Sequence, residues 1–221
     1  VSVHALGGML LYLHRTQFCS LSHLKNLSFS DRKDYMEIDY FTWRNLEVTE
    51  TMRAKSKRGS LLSILDETKT AMGARLLRKY LEKPLLHYPT IMKRQNAVTA
   101  FFEDNMTRNS LRDLLVSVRD IERIASKLVY DTISPRDMQA FAESFRVLPQ
   151  IKELLQKFSA DLVRELNQNT DPLCDVCSLI DSCISENPPQ FARDGNIIRQ
   201  GYCEELDTLR IFLNDSKQVM A

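Results

Sequence analysis

Chemistry needs reactive side chains at a fixed spacing, and only a few groups in this sequence offer both. Cys174 and Cys177 form a C-x-x-C. A structural zinc takes four ligands. No second C-x-x-C follows, and His87 is the last of four histidines, so the pair lacks ligands unless Cys183 and Cys203 both join. The simpler reading places Cys174, Cys177 and Cys183 near one face of a helix, packed as small hydrophobes. Asp120 and Glu122 could share acid and base work, but two positions apart on a helix they point to different faces. His4, His14, His23 and His87 are scattered, and no H-E-x-x-H joins any of them. Glu204, Glu205 and Asp207 form the solvated side of a helix. No catalytic, metal or cofactor residue is predicted.

Phosphate chemistry has two candidate places. A P-loop needs G-x-x-x-x-G-K-[ST], so that backbone amides and a lysine surround the phosphates. Gly59 has Ile64 rather than glycine five residues on, and the motif occurs nowhere else in the sequence. The basic run "RAKSKR" supplies Arg53, Lys55, Lys57 and Arg58 without an aromatic among them. Such a cluster makes non-specific phosphate contacts at most, or is simply a solvated loop.

The whole chain has 221 residues, with 30 Lys and Arg against 29 Asp and Glu, a net charge of +1. No global field attracts nucleic acid, so such a contact depends on a local patch. Six glycines and seven prolines leave few tight turns and favour helices. Five cysteines, an odd number, with no recognisable signal peptide, predict a reduced, cytoplasmic protein. No apolar run reaches the roughly 18 residues of a membrane span.

The elements that must position these groups are mostly helical. Val1 to Gln17 carries Leu6, Leu10 and Leu13 on one stripe, with Gly7 and Gly8 marking a close backbone approach. Ser28 to Tyr35 is a polar connection. Met36 to Ile38 alternates as a short strand, Asp39 caps a turn through Arg44, and Leu46 to Val48 returns as a second strand. Ser60 caps a turn with Leu61, Leu62, Ile64 and Leu65. Thr70 caps a helix whose apolar face is Met72, Leu76, Leu77, Tyr80 and Leu81, stopped by Pro84. Gly73 removes a side chain where helices meet, and Arg75 and Arg78 can pair with acids across a junction. Further helices start near Pro89, Thr107, Ser134 and Pro149, with Ser134 and Asp137 forming a capping box. A last helix from Ile198 presents Ile198, Tyr202, Leu206, Leu209 and Leu213 as a coiled-coil-like stripe. The prediction is an all-α, elongated helical domain with at most a small pair of short strands. Residues 1–35 form a leading helix and connection, 36–195 the helical core, and 196–221 an outgoing helix.

Several long stretches, in order, resemble the MutS family of DNA mismatch repair proteins. They are "ALGGMLLYL", "SLSHL", "RNLEV", "GSLLSILDETKTAMGARLLRKYLEKPL", "RQNAV", "DIERIASKL", "RDMQAF" and "GYCEELDTLR". The resemblance, which points to a bacterial member, covers nearly the whole chain. It implies the core and lever region, cut from a longer protein that also carries a mismatch-reading domain, a DNA clamp and an ATPase. It further implies that Asp66, Thr68, Thr70, Gly73, Arg75 and Arg78 lie at a domain junction and pass the ATP state to the clamp. ATP and magnesium, mismatched double-stranded DNA, a second identical subunit and a MutL-type repair partner are implied for the longer protein, and no membrane. Read from its residues alone, the same stretch could equally fill a core, and the whole chain could be a free-standing helical module that binds a partner helix. Without a P-loop, this chain is expected not to bind ATP. A calorimetric titration with magnesium–ATP should show no heat of binding, and a micromolar dissociation constant would overturn that expectation.

Overall fold

Helix starts are dense in the sequence, and the architecture is a succession of short helices. The computed structural model describes residues 2–17 and 34–219. Their order is α1 (Ser2–Gln17), α2 (Tyr40–Asn45), α3 (Leu61–Leu65), α4 (Ala71–Glu82), α5 (Tyr88–Glu103), α6 (Asn105–Val116), α7 (Ile121–Val129), α8 (Pro135–Arg146), α9 (Leu148–Leu155), α10 (Asp161–Asn169), α11 (Cys174–Cys183) and α12 (Glu204–Val219). Among the described residues no strand forms, and the fold is all-α.

A helix leaves its first backbone N–H groups without partners, and a side-chain oxygen just before the helix supplies one. Asp39 accepts from the amides of Phe41 and Thr42 at 2.9 and 3.0 Å. Ser60 caps α3, Thr70 caps α4, and Asp120 caps α7. Ser134 and Asp137 form the expected reciprocal box at α8. One start is displaced from its expected place. Asp104, rather than Thr107, caps α6, accepting from the Thr107 amide at 3.0 Å, and Thr107 itself is buried.

The two short strands are not formed. The extended segment after Asp34 makes only an isolated bridge between Tyr35 and Leu85. It is bounded by bonds from Met36 N to Pro84 O (2.8 Å) and from Leu86 N to Asp34 O (3.0 Å). "LEV" turns instead of extending, because Glu47 adopts a left-handed conformation (φ 48°). Its carbonyls then face α3: Leu61 N donates to Glu47 O at 3.1 Å, and Leu62 N to Val48 O at 2.8 Å. These are two of the amides that the first turn of α3 leaves open. "RNLEV" and "GSLL" therefore form one unit.

The core is distributed over three clusters. Ala142, fully buried on α8, packs with Ile180 and Ile184 of the α11 region. Leu111, Val118 and Ile151 form a second cluster, which takes Met72 from α4. Ala97, Phe158 and Val163 form a third. Phe101 and Leu155 touch both of these last two clusters, and the Phe101 and Phe158 rings lie 4.4 Å apart. The thiols do not share a face. Cys177 is buried with its Sγ 3.8 Å from Ala142 O, Cys183 is half-buried, and Cys174 is exposed. Burial pushes the Cys177 thiol pKa up.

Both ends depart from expectation. Among the described residues nothing approaches within 4 Å of a Cβ placed at Gly7 or Gly8. Cys19, "SLSHL" with His23, and Ser28 to Lys33 lie outside the described residues. At the other end, α12 begins at Glu204 rather than Ile198. Ile198 pairs with Ile184 in an isolated bridge, and Gly201 turns the chain at φ 87°. Tyr202 precedes the helix and is half exposed. Leu206 is half-buried and Leu209 is exposed, while the Leu213 side chain lies outside the described residues. The five apolar residues are therefore not one helical stripe.

One buried hydroxyl joins the second and first clusters. Ser144, with no solvent exposure, accepts from Arg119 N at 2.9 Å and donates to Ala140 O at 2.8 Å. This fixes the turn between α6 and α7 on α8. Ser144→Ala would leave the Arg119 amide without its acceptor, at a cost of about 1–3 kcal/mol. Urea unfolding should show that loss, and an unchanged midpoint would mean that water replaces the hydroxyl.

Candidate functional site

The basic loop and the Gly59–Leu85 stretch form one continuous structure. Residues 46–60 fold back on themselves. Thr51 N donates to Ser56 O and Lys55 N to Thr51 O, both at 3.0 Å. Glu47 Oε1 accepts from Met52 N at 2.7 Å. Lys55 is left-handed (φ 46°), as is Gly59 (φ 96°). The loop closes on Ser60, whose fully buried hydroxyl donates to Lys57 O at 2.7 Å. Arg53, Lys55, Lys57 and Arg58 all stand exposed on its outside.

Between Lys57 and α4 lie two separate sets of polar contacts. The Lys57 ammonium pairs with Asp66. Asp66 Oδ1 also accepts from the Thr68 hydroxyl at 2.6 Å. Lys57 first, then Thr68, hold the Asp66 carboxyl below the usual carboxylate range. Thr70 Oγ1 then accepts from Gly73 N at 3.0 Å. Gly73 meets no neighbouring helix. A Cβ there would sit 3.0 Å from Thr70 Oγ1 and 3.5 Å from Thr68 Cβ, so the space it leaves open is filled by its own helix cap.

Arg75 makes the longest reach. Its guanidinium donates to both oxygens of Asp120, at 2.8 and 2.7 Å, and through Nε to Glu122 Oε2 at 3.0 Å. Asp120 and Glu122, expected on different faces, thus converge on one cation. The rule for facing residues describes the interior of a helix, and here Asp120 is the residue before α7, where its side chain swings past the first turn. Arg75, with a smaller contribution from Arg123, keeps the Asp120 carboxyl below its ordinary value, against a smaller upward pull from burial. Arg78 does not cross the junction but pairs with Glu82 of its own helix at 2.8 Å.

These contacts carry much of the attachment of α4, which has no fully buried residue. Met72 rests on the second cluster, Arg75 grips α7, and the Arg94 guanidinium of α5 lies 3.7 Å from the centre of the Tyr80 ring. Leu76 remains 48% exposed, so the apolar face of this helix is only partly covered. Sequence reasoning identified Arg75 but missed its partners. It also missed Trp43, which shares a cavity with Tyr40, Arg44, Met52 and Lys55. Its signal was available: Tyr40, Trp43 and Arg44 fall at helical spacing just after the Asp39 cap.

Comparison with known proteins gives consistent matches. A family model described as MutS domain III matches residues 41–219. Proteins named DNA mismatch repair protein MutS are similar along essentially the whole chain. That of Lachnoclostridium phytofermentans is 43% identical over 221 residues, 100% of this chain and 24% of the relative. That of Caldanaerobacter subterraneus subsp. tengcongensis is 43% identical over 219 residues, 99% of this chain and 25% of the relative. That of Bacillus subtilis is 39% identical over 210 residues, 95% and 24% respectively. The chain spans about a quarter of the length of the relatives it matches.

The Arg75 contact has a pH signature. A carboxyl whose folded pKa lies below its unfolded value of about 3.8 adds stability above that value. The contribution disappears as pH falls through the folded pKa. Arg75→Gln should therefore lower stability at neutral pH and flatten the loss of stability between about pH 5 and pH 3. Urea midpoints across that range check this, and parallel profiles for the two proteins would show that the pair does not form in solution.

Proposed function

We propose a function from one premise: this chain belongs to the MutS family of DNA mismatch repair proteins, as its domain III. In the longer protein it serves as core and lever, carrying a change at an ATP-binding domain to the part that grips DNA. The observation that carries this reading is the attachment of α4. A helix with no fully buried residue, whose apolar side chains are at most half-buried and whose contacts include one guanidinium and one cation–ring pair, can shift against its neighbours without dismantling a core. Polar contacts at Lys57–Asp66, at Thr70–Gly73 and at Arg75–Asp120 follow one another along the segment from the basic loop to α4 and α7, which supports a junction role for Asp66, Thr68, Thr70, Gly73 and Arg75, with Arg78 turned to its own helix.

In this reading ATP and magnesium act on another domain, and mismatched DNA is recognised by another domain. Arg53, Lys55 and Arg58 add sequence-independent phosphate contacts, with Lys57 partly occupied by Asp66. A second subunit, a MutL-type partner and a cytoplasmic setting belong to the same proposal. No helix among the described residues is long and apolar enough to cross a membrane.

The test uses the longer protein. Arg75→Gln should slow ATP-triggered release from mismatched DNA while leaving mismatch binding and DNA-independent ATP hydrolysis in place. Unchanged release kinetics would sink the lever reading. The 221-residue chain alone should bind DNA weakly, lose that binding as salt rises, and treat a G·T duplex and its matched control alike. A mobility shift that favours the mismatch would show that this region reads DNA directly.

A further inference from the structure

Between α2 and the basic loop lies a cavity of about 440 Å³, within the usual range for small-ligand sites of about 300–1,000 Å³. Tyr40, Trp43 and Arg44 line one side and Glu50, Met52 and Lys55 the other. The residues divide by chemistry. Two aromatic rings and a thioether give flat or pliable apolar faces. A guanidinium, an ammonium and one carboxylate line the same cavity. Arg44 already lies over the rings of Tyr40 and Phe41, at 5.9 and 5.6 Å from their centres.

Around this cavity cations outnumber carboxylates. Arg44, Arg53, Lys55 and Arg58 have no carboxylate within ion-pair distance among the described residues, while Lys57 of the same loop pairs with Asp66. The loop that presents them is also fixed in advance. Glu47 and Lys55 are both held in left-handed conformations that non-glycine residues seldom adopt, and three internal hydrogen bonds keep them there. A preorganised loop spends less entropy on binding.

From this we infer that the cavity is a site for an unpaired nucleotide of a single-stranded nucleic acid. The inference rests on the reading of the Arg53–Arg58 loop as a phosphate-contacting surface, but not on the lever. Sequence-tolerant single-strand sites combine aromatic faces for stacking with cations that follow the backbone, and both are present. The base lies against Trp43 and Tyr40, Glu50 accepts from an exocyclic amino group where the base has one, and Lys55 and Arg44 meet the phosphate. Arg53 and Arg58 extend the track for the neighbouring phosphates. The cavity admits one base and its sugar, so a paired duplex cannot place a base there without unstacking it. A free mononucleotide has the same chemistry but lacks the neighbouring phosphates, and it binds far more weakly.

Trp43 is the only tryptophan in the sequence and reports on its own cavity. At low salt, an oligothymidylate should quench Trp43 fluorescence, and a matched duplex of equal length should quench it less. Inorganic polyphosphate should leave the emission nearly unchanged, and ATP should do the same at micromolar concentration. Tyr40→Leu should weaken oligothymidylate binding about tenfold through lost stacking, and Lys55→Ala should reduce the salt slope by about one. Lys79→Ala, on the exposed side of α4, should change neither. In the longer protein, a strand carrying thiothymidine should photocrosslink within residues 40–58. No quenching by oligothymidylate and no crosslink in that segment would overturn the site. Equal responses to polyphosphate and oligothymidylate would also overturn it, leaving a general anion patch. If Lys55→Ala abolishes the crosslink while Arg75-dependent release persists, this site and the lever stand separately.

Discussion

A protein assembled from short helices depends on how those helices begin. Every start leaves donors that must find oxygen, and buried donors without one cost about as much as a lost hydrogen bond. Here the accepting oxygens are themselves joints of the fold. Asp120 caps α7 and holds Arg75 of α4. Asp137 completes the box at α8 and pairs with Lys127 of α7 at 2.8 Å. Glu47 and Val48 lend their carbonyls to α3, which ties the loop before the basic run to the stretch after it. At Asp120 and Asp137 the capping residue also makes the tertiary attachment.

This explains what was legible from the amino acids. Caps are local, and those at Asp39, Ser60, Thr70 and Ser134 follow from residue type and spacing alone. The shift from Thr107 to Asp104 is the same rule applied three residues too late, since both residues can cap and only the fold decides. The extended segments at Met36–Ile38 and Leu46–Val48 have the alternation of strands. One finds only the bridge from Tyr35 to Leu85, and the other is bent by the left-handed Glu47. Alternation describes a face to be covered, and it carries no information on whether a partner strand exists.

The candidate site was legible in its charged residues and hidden in their partners. Arg75 announced itself as a long cation on a helix, whereas Asp120 and Glu122 lie over forty residues away and looked unrelated. Gly73 is a similar case. It suggested a helix crossing, and the structure places its own cap against it. The apolar stripe of the last helix failed because Gly201 turns the chain before Glu204, which no count of leucines reveals. Long-range pairing and backbone turns outside the common regions are where a single sequence carries least.

The bridge between Tyr35 and Leu85 has a topological consequence. The chain enters and leaves residues 36–84 at adjacent points, so that segment hangs from the rest of the fold by a closed neck. A piece with its two ends side by side can lengthen, shorten or be exchanged between homologues without redirecting the chain on either side. The entropy of closing such a loop rises only slowly with its length. The lobe that carries the basic loop can therefore change length without redirecting the helical body from α5 onward, so long as the Arg75 contact, the Met72 seat and the Tyr80–Arg94 and Glu67–Arg112 contacts keep their places.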